Sequence, residues 1–104
     1  MSTYDHALDA LGDPTRRRIF DLLRREPRSV AALAAELPVS RPAVSQHLRI
    51  LREARLVTHR SEGTRHVYEV TPEGLDELRE WLDTFWADAL YRFKDAAEQR
   101  GRAR

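Results

Sequence analysis

Two short helical stretches stand back to back between Ser29 and Ala54, separated only by Pro38-Val39, and this pairing constrains the fold more than any other feature of the chain. Ser29 precedes Val30-Ala31-Ala32-Leu33-Ala34-Ala35-Glu36-Leu37. A serine hydroxyl ahead of such a run caps the free N–H groups of a first helical turn. Pro38 cannot continue that helix and makes a tight turn with Val39. Ser40 is a second cap, and Pro42 is tolerated in the first turn, where an N–H has no partner to lose. Val44, Leu48 and Leu51 then recur at i, i+4 and i+7, with Ile50 beside them, so one face of the second helix is apolar. The outward positions carry Arg41, Ser45, Gln46, Arg49 and Arg52. A short apolar helix, a brief turn and a polar-faced helix are the grammar of a helix-turn-helix, here over about 29–54.

The flanks complete a domain around this pair. Ala7, Leu8 and Leu11 have helical spacing over about 4–11. Gly12 can end that helix, and Asp13 can cap the next with Pro14 at its first position. Ile19, Phe20, Leu22 and Leu23 supply the second helix's apolar face, and Pro27 lies beyond its end. After the helix-turn-helix, Leu56–His59 and Arg65–Val70 alternate, and Glu62-Gly63-Thr64 between them suits a hairpin turn in which Gly63 takes a positive φ. This hairpin, about 56–70, is a wing. Thr71-Pro72-Glu73 opens a last helix with a cap and a proline, running over about 72–99 and some 40 Å long at 1.5 Å per residue. Leu75, Leu78, Leu82, Phe85 and Ala89 step along it by 3, 4, 3 and 4, and Trp81, Trp86, Leu90 and Phe93 widen the stripe. So wide an apolar stripe exceeds what a small core needs, and part of it should meet a partner. Residues 101–104 read as a disordered tail. The fold class is mainly α: one winged helix-turn-helix domain over 1–100, with a two-stranded hairpin and a long C-terminal helix.

The run Ala10-Leu11-Gly12-Asp13-Pro14-Thr15-Arg16-Arg17-Arg18-Ile19 resembles the opening of the ArsR family of winged-helix repressors. Ser40-Arg41-Pro42-Ala43-Val44-Ser45-Gln46-His47-Leu48-Arg49-Ile50-Leu51 resembles that family's reading helix. Glu53-Ala54-Arg55-Leu56-Val57 and the Thr71-Pro72-Glu73-Gly74 helix opening follow in the family's order, so the resemblance covers roughly residues 5 to 95. It implies a homodimer joined by the first and last helices, which represses transcription by sitting on a pseudo-palindromic operator in double-stranded DNA. Leu8 and Leu11 would then join Leu75, Leu78, Trp81, Leu82, Phe85, Trp86, Ala89, Leu90 and Phe93 in the dimer interface. Two departures matter. The family usually has glycine where this chain has Arg55: either Arg55 takes a left-handed conformation at a cost of about 1 kcal/mol, or the helix ends differently. Metal-sensing members use cysteines near the reading helix, or histidine and carboxylate ligands on the last helix, whereas this chain has no cysteine and no histidine after His66.

The residues that would meet DNA are Ser40, Arg41, Pro42, Ser45, Gln46 and His47 at the start of the reading helix. Gln46 suits adenine, and Arg41 suits guanine or a phosphate; the alternative is an ordinary solvated helix face. Arg49 and Arg52 either reach phosphates or pair with a carboxylate such as Glu53. In the wing, Arg60, Thr64, Arg65 and His66 flank the turn, with Arg65 the best contact to phosphate or minor groove and a solvated hairpin tip as the alternative.

Bulk composition is a weaker guide. The net charge of the 104 residues is only +1, so the placement of charge matters more than its total. Residues 29–70 carry six basic and four acidic side chains, and residues 71–104 six basic and eight acidic. Nearly all the positive charge is arginine, whose planar fork suits phosphate and guanine. The lack of cysteine excludes disulfides and zinc–thiolate sites. His59 and His66 can face each other across the hairpin, but two histidines without a third ligand make a poor metal site, so no metal and no cofactor are expected. No glycine-rich phosphate loop or catalytic grouping suggests an enzyme. No apolar run approaches a membrane span and no secretory signal opens the chain, so a cytoplasmic protein is expected. Three alternatives frame the function: an operator-binding repressor, a repressor that answers to a small-molecule, metal or protein effector through its aromatic interface, or a winged helix used only to dock proteins.

Overall fold

The computed structural model describes residues 3–102. Five helices and three short strands follow in the order α1 (Thr3–Leu11), α2 (Pro14–Arg25), β1 (Arg28–Ser29), α3 (Val30–Glu36), α4 (Arg41–Glu53), β2 (Val57–Glu62), β3 (Arg65–Val70) and α5 (Glu73–Arg102). The helix starts are made by local chemistry. Asp13, Ser29 and Ser40 each accept a backbone N–H bond with the side chain, from Arg16, Ala32 and Ala43 respectively. The Arg16 N–H bond is the main reason that the Asp13 carboxyl is held below the usual carboxylate range. α5 starts one residue later than its sequence suggests, with the Pro72 carbonyl accepting from the Asp76 N–H.

The end of α1 is closed by side chains from the next helix. Arg16 Nε donates to the Ala10 carbonyl at 2.7 Å and Arg17 Nη1 to the Leu11 carbonyl at 2.8 Å, supplying donors to carbonyls that a helix end leaves free. α4 ends in a Schellman turn: Leu56 N–H reaches the Leu51 carbonyl and Arg55 N–H the Arg52 carbonyl. Arg55 takes the left-handed conformation at φ 59°, where a glycine would carry no strain. α5 begins against this turn. Gly74 donates to the Arg55 carbonyl, and a Cβ at Gly74 would stand under 3.0 Å from backbone oxygens of Ala54 and Arg55, so this close approach requires glycine.

The hairpin is part of a three-stranded antiparallel sheet of order β1-β3-β2. β1, which pairs Arg28 with Tyr68 and Ser29 with Val67, is an addition to the expected two-stranded wing. Two residues are too few to show alternation, so only the fold reveals it. Gly63 turns the hairpin at φ 64° as its position suggests.

Ile19, Leu23, Leu33, Val44, Leu48, Leu51 and Leu56 fill the core, and no polar or charged side chain is buried among the described residues. Leu11, Leu75 and Leu78 pack against this core from α1 and the start of α5. Every described residue from Leu82 onward is exposed. The Cα radius of gyration is 18.8 Å, against about 13 Å for a compact chain of 100 residues; the projecting half of α5 accounts for that excess. α5 also takes in residues 101–102, which the sequence suggests as disordered tail. Arg100 and Arg102 lie in its last turn, where positive charge complements the helix dipole. Ala103 and Arg104 lie outside the described residues. No helix among the described residues is long and apolar enough to cross a membrane.

Candidate nucleic-acid interface

The helical repeat of α4 divides its residues by environment. Val44, Leu48 and Leu51 are fully buried, which leaves Ser40, Arg41, Pro42, Ser45, Gln46, Arg49 and Arg52 exposed. The Ser40 hydroxyl is spent on its cap, at 3.3 Å from the Ala43 N–H. His47, expected among the DNA contacts, differs from them in exposure. It is partly buried, its Nδ1 is enclosed without a hydrogen-bond partner, and its charge acts on Asp13 at the start of α2. One helical step beyond Gln46 carries it to the flank of α4.

The wing tip and the start of α4 enclose an open cleft of about 450 Å³. Arg41, Pro42 and Ser45 line one side and Thr64, Arg65 and His66 the other, while Ser29, Val30 and Ala31 at the start of α3 complete it. The wall from α3 is the part that sequence reasoning misses. Small residues such as Ala31 carry no functional signal and matter here only because they leave the cleft open.

The arginines of the site differ in what their charge already faces. Arg41 and Arg65 have no ion-pair partner among the described residues. Arg49 sits 3.2 Å from Glu53 of its own helix, the pairing that its i, i+4 spacing allows. Arg60 is held by Glu69 at 2.6 Å and Glu62 at 3.2 Å, and the hydrogen bond to Glu69 leads the causes that raise its pKa. It lines a different cleft, with Glu26, Glu36 and Glu62, which Arg65 also borders from the wing. So Arg41 and Arg65 border one cleft without an ion-pair partner among the described residues, whereas Arg49 and Arg60 each meet a carboxylate of the chain itself. His59 and His66 do meet across the hairpin, with ring centroids 5.2 Å apart. Among the described residues no group of three or more His, Cys, Asp or Glu side chains is placed to hold a metal ion.

The second candidate surface is the apolar side of α1 and α5. Leu11, Leu75 and Leu78, expected in an interface, are largely occupied by the chain's own core. Trp81 is half-buried and meets Phe85 edge-on at 5.0 Å. Leu8, Leu82, Phe85, Ala89 and Leu90 are exposed, as are Trp86 at 59% and Phe93 at 75%. Tyr91, at 73%, joins them although its position falls off the heptad-like stripe.

A sequence profile of helix-turn-helix domains matches residues 11–60. The chain is 51% identical over 104 residues to the HTH-type transcriptional regulator Rv2034 of Mycobacterium tuberculosis, with 97% of each chain covered. It is 36% identical over 76 residues to the arsenical resistance operon repressor of Staphylococcus xylosus, with 73% of each covered. The chain belongs to the ArsR family of winged helix-turn-helix transcriptional regulators. Its fold agrees with that assignment. The solution structure described as the homodimeric winged helix-turn-helix DNA-binding domain of Mb0332 from Mycobacterium bovis superposes with a TM-score of 0.65 at 25% identity, covering 89% of this ArsR-family chain and 83% of that one.

Proposed function

We propose that this ArsR-family regulator is a homodimeric repressor that grips duplex DNA with the exposed face of α4 and the cleft between α4 and the wing. The observation that carries this reading is the convergence of unpaired Arg41 and Arg65 on one open cleft beside Ser45 and Thr64. Unpaired guanidinium groups at the mouth of a cleft attract phosphate, and binding is strengthened by release of the counterions that DNA holds. The exposure of Gln46, one position beyond Ser45, supports a role for its amide at a base edge.

The exposed apolar half of α5 supports the dimer. A solitary helix with so much apolar surface in water is marginal, and packing against a second copy removes that surface. A two-fold dimer sets its two reading helices about 34 Å apart, one turn of B-DNA, and so selects a pseudo-palindromic site. Occupying a promoter in this way excludes polymerase. The test is a titration against a duplex from the protein's own promoter region, beside random duplex, with the parent, Arg41→Ala and Gln46→Ala. Weaker specific binding in both variants supports the reading. Binding by both variants equal to the parent's, on specific and random DNA alike, rules out α4 as the reading helix.

A further inference from the structure

Behind the cleft wall that His66 forms stands a second histidine with no part in the reading so far. In the strand register His59 faces Tyr68 and Ser61 faces His66, so the two imidazoles are diagonal neighbours on one face of the hairpin. The His59 and His66 rings are 5.2 Å apart and edge-on, and Tyr68 lies 5.2 Å from His59 at a tilt of 30°. The Nδ1 of His59 is enclosed and has no hydrogen-bond partner. From α4, on which β2 packs, the charged group that acts on it is Arg52; from β3 the titratable groups are His66 and Tyr68. Among the described residues no carboxylate forms an ion pair with it. A proton on His59 would thus sit in a poorly hydrated place between a guanidinium and a second imidazole. Burial first, then Arg52 and His66, hold His59 below the ordinary imidazole value.

We propose that the His59–His66 pair makes the wing's hold on DNA proton-sensitive, with His59 a positioning residue that must be neutral for the wing to lie against α4. The proposal rests on the DNA-binding reading above. A charged His59 gains by moving toward water and away from Arg52, and the same hairpin carries Thr64, Arg65 and His66 into the cleft. Acid therefore opens the cleft. The sign distinguishes this from simple electrostatics, in which each histidine charged beside a phosphate strengthens binding. Since the pKa of His59 is lowered in the folded state, its contribution is fully present above its ordinary value and is lost as pH falls below it.

The test is a fluorescence-anisotropy titration of the full chain on a duplex from its own promoter region, from pH 7 to pH 5.5 at fixed ionic strength, with circular dichroism to verify that the fold persists. The parent's affinity should fall by about five- to tenfold over that range, within the limit of tenfold per pH unit that uptake of one proton sets. His59→Phe keeps a ring beside Tyr68 and His66 but takes no proton, so its affinity should hold level or rise with acid. His66→Asn removes the ring that stands edge-on to His59 and should move the loss to lower pH, read against that variant's own affinity at pH 7 because His66 also lines the cleft. A parent affinity that stays level or rises toward pH 5.5 overturns the proposal, as does an equal loss in His59→Phe, or in His66→Asn at the same pH. A parent that binds no duplex DNA even at pH 7 instead overturns the DNA-binding reading.

Discussion

α4 and α5 both carry an apolar stripe, but only α4 hides its own. Val44, Leu48 and Leu51 of α4 are 0% exposed, and what the helix leaves in water is polar. The second half of α5 leaves Trp86 and Phe93 mostly in solvent. The two helices therefore suit different partners. A polar face beside unpaired arginines fits a hydrated, charged surface such as phosphate. An apolar face on a projecting helix fits protein, and a second copy of the chain supplies the same face by two-fold symmetry.

The largest effect should come from deleting that difference. Removing residues 82–104, or placing Trp86→Glu and Leu90→Glu together, is expected to give a monomer by sedimentation equilibrium. Affinity for a palindromic duplex should then fall by about 10²- to 10⁴-fold, because the two half-sites are no longer held by one linked body. An unchanged mass would break the comparison at its α5 end. Core truncation comes next. Leu48→Ala should cost about 2–5 kcal/mol in urea unfolding, to the same extent at every protein concentration. The cost of Leu90→Ala should instead depend on concentration, as it must if the residue is buried only in the dimer.

The arginines test the polar end. Arg41→Ala and Arg65→Ala should each weaken binding by about tenfold, and each should lower the slope of log affinity against log salt by about 0.9. Arg49→Ala and Arg60→Ala should change affinity by less than about threefold, since their charge is already met by Glu53 and by Glu62 with Glu69. Equal effects from all four would show that ion pairs within the protein do not select the contacts. The smallest change is Arg55→Gly, expected to stabilise the chain by about 1 kcal/mol in the same unfolding experiment by relieving the left-handed residue at the end of α4.

What the sequence makes legible here is local. Asp13, Ser29 and Ser40 cap helices a few residues away, Gly63 turns a hairpin, and Arg55 ends a helix; each signal lies within the segment it shapes. Features that depend on distant partners are not legible in this way. Nothing within the Arg16-Arg17 segment shows that these side chains close the end of α1, because the carbonyls they bond belong to Ala10 and Leu11 of the helix before. Arg60 looks like a wing contact, but only the strand register brings Glu69 to it. Pairing with β3 brings β1 into view, and the need for glycine at Gly74 appears only when α5 meets the end of α4. The candidate DNA face is accordingly legible as a set of residue types, and the Arg49–Glu53 pair as an alternative, while the pairing of Arg60 is not.

Amide hydrogen exchange of the parent chain, alone and with a duplex from its own promoter region, tests the two-helix contrast most directly. The expected result has residues 82–102 protected in the protein alone. Residues 41–52 and the wing from 60 to 66 should gain protection only when DNA is added. Rapid exchange across 82–102 in the protein alone, or no change in α4 and the wing on adding DNA, would contradict the division of labour between the two helices.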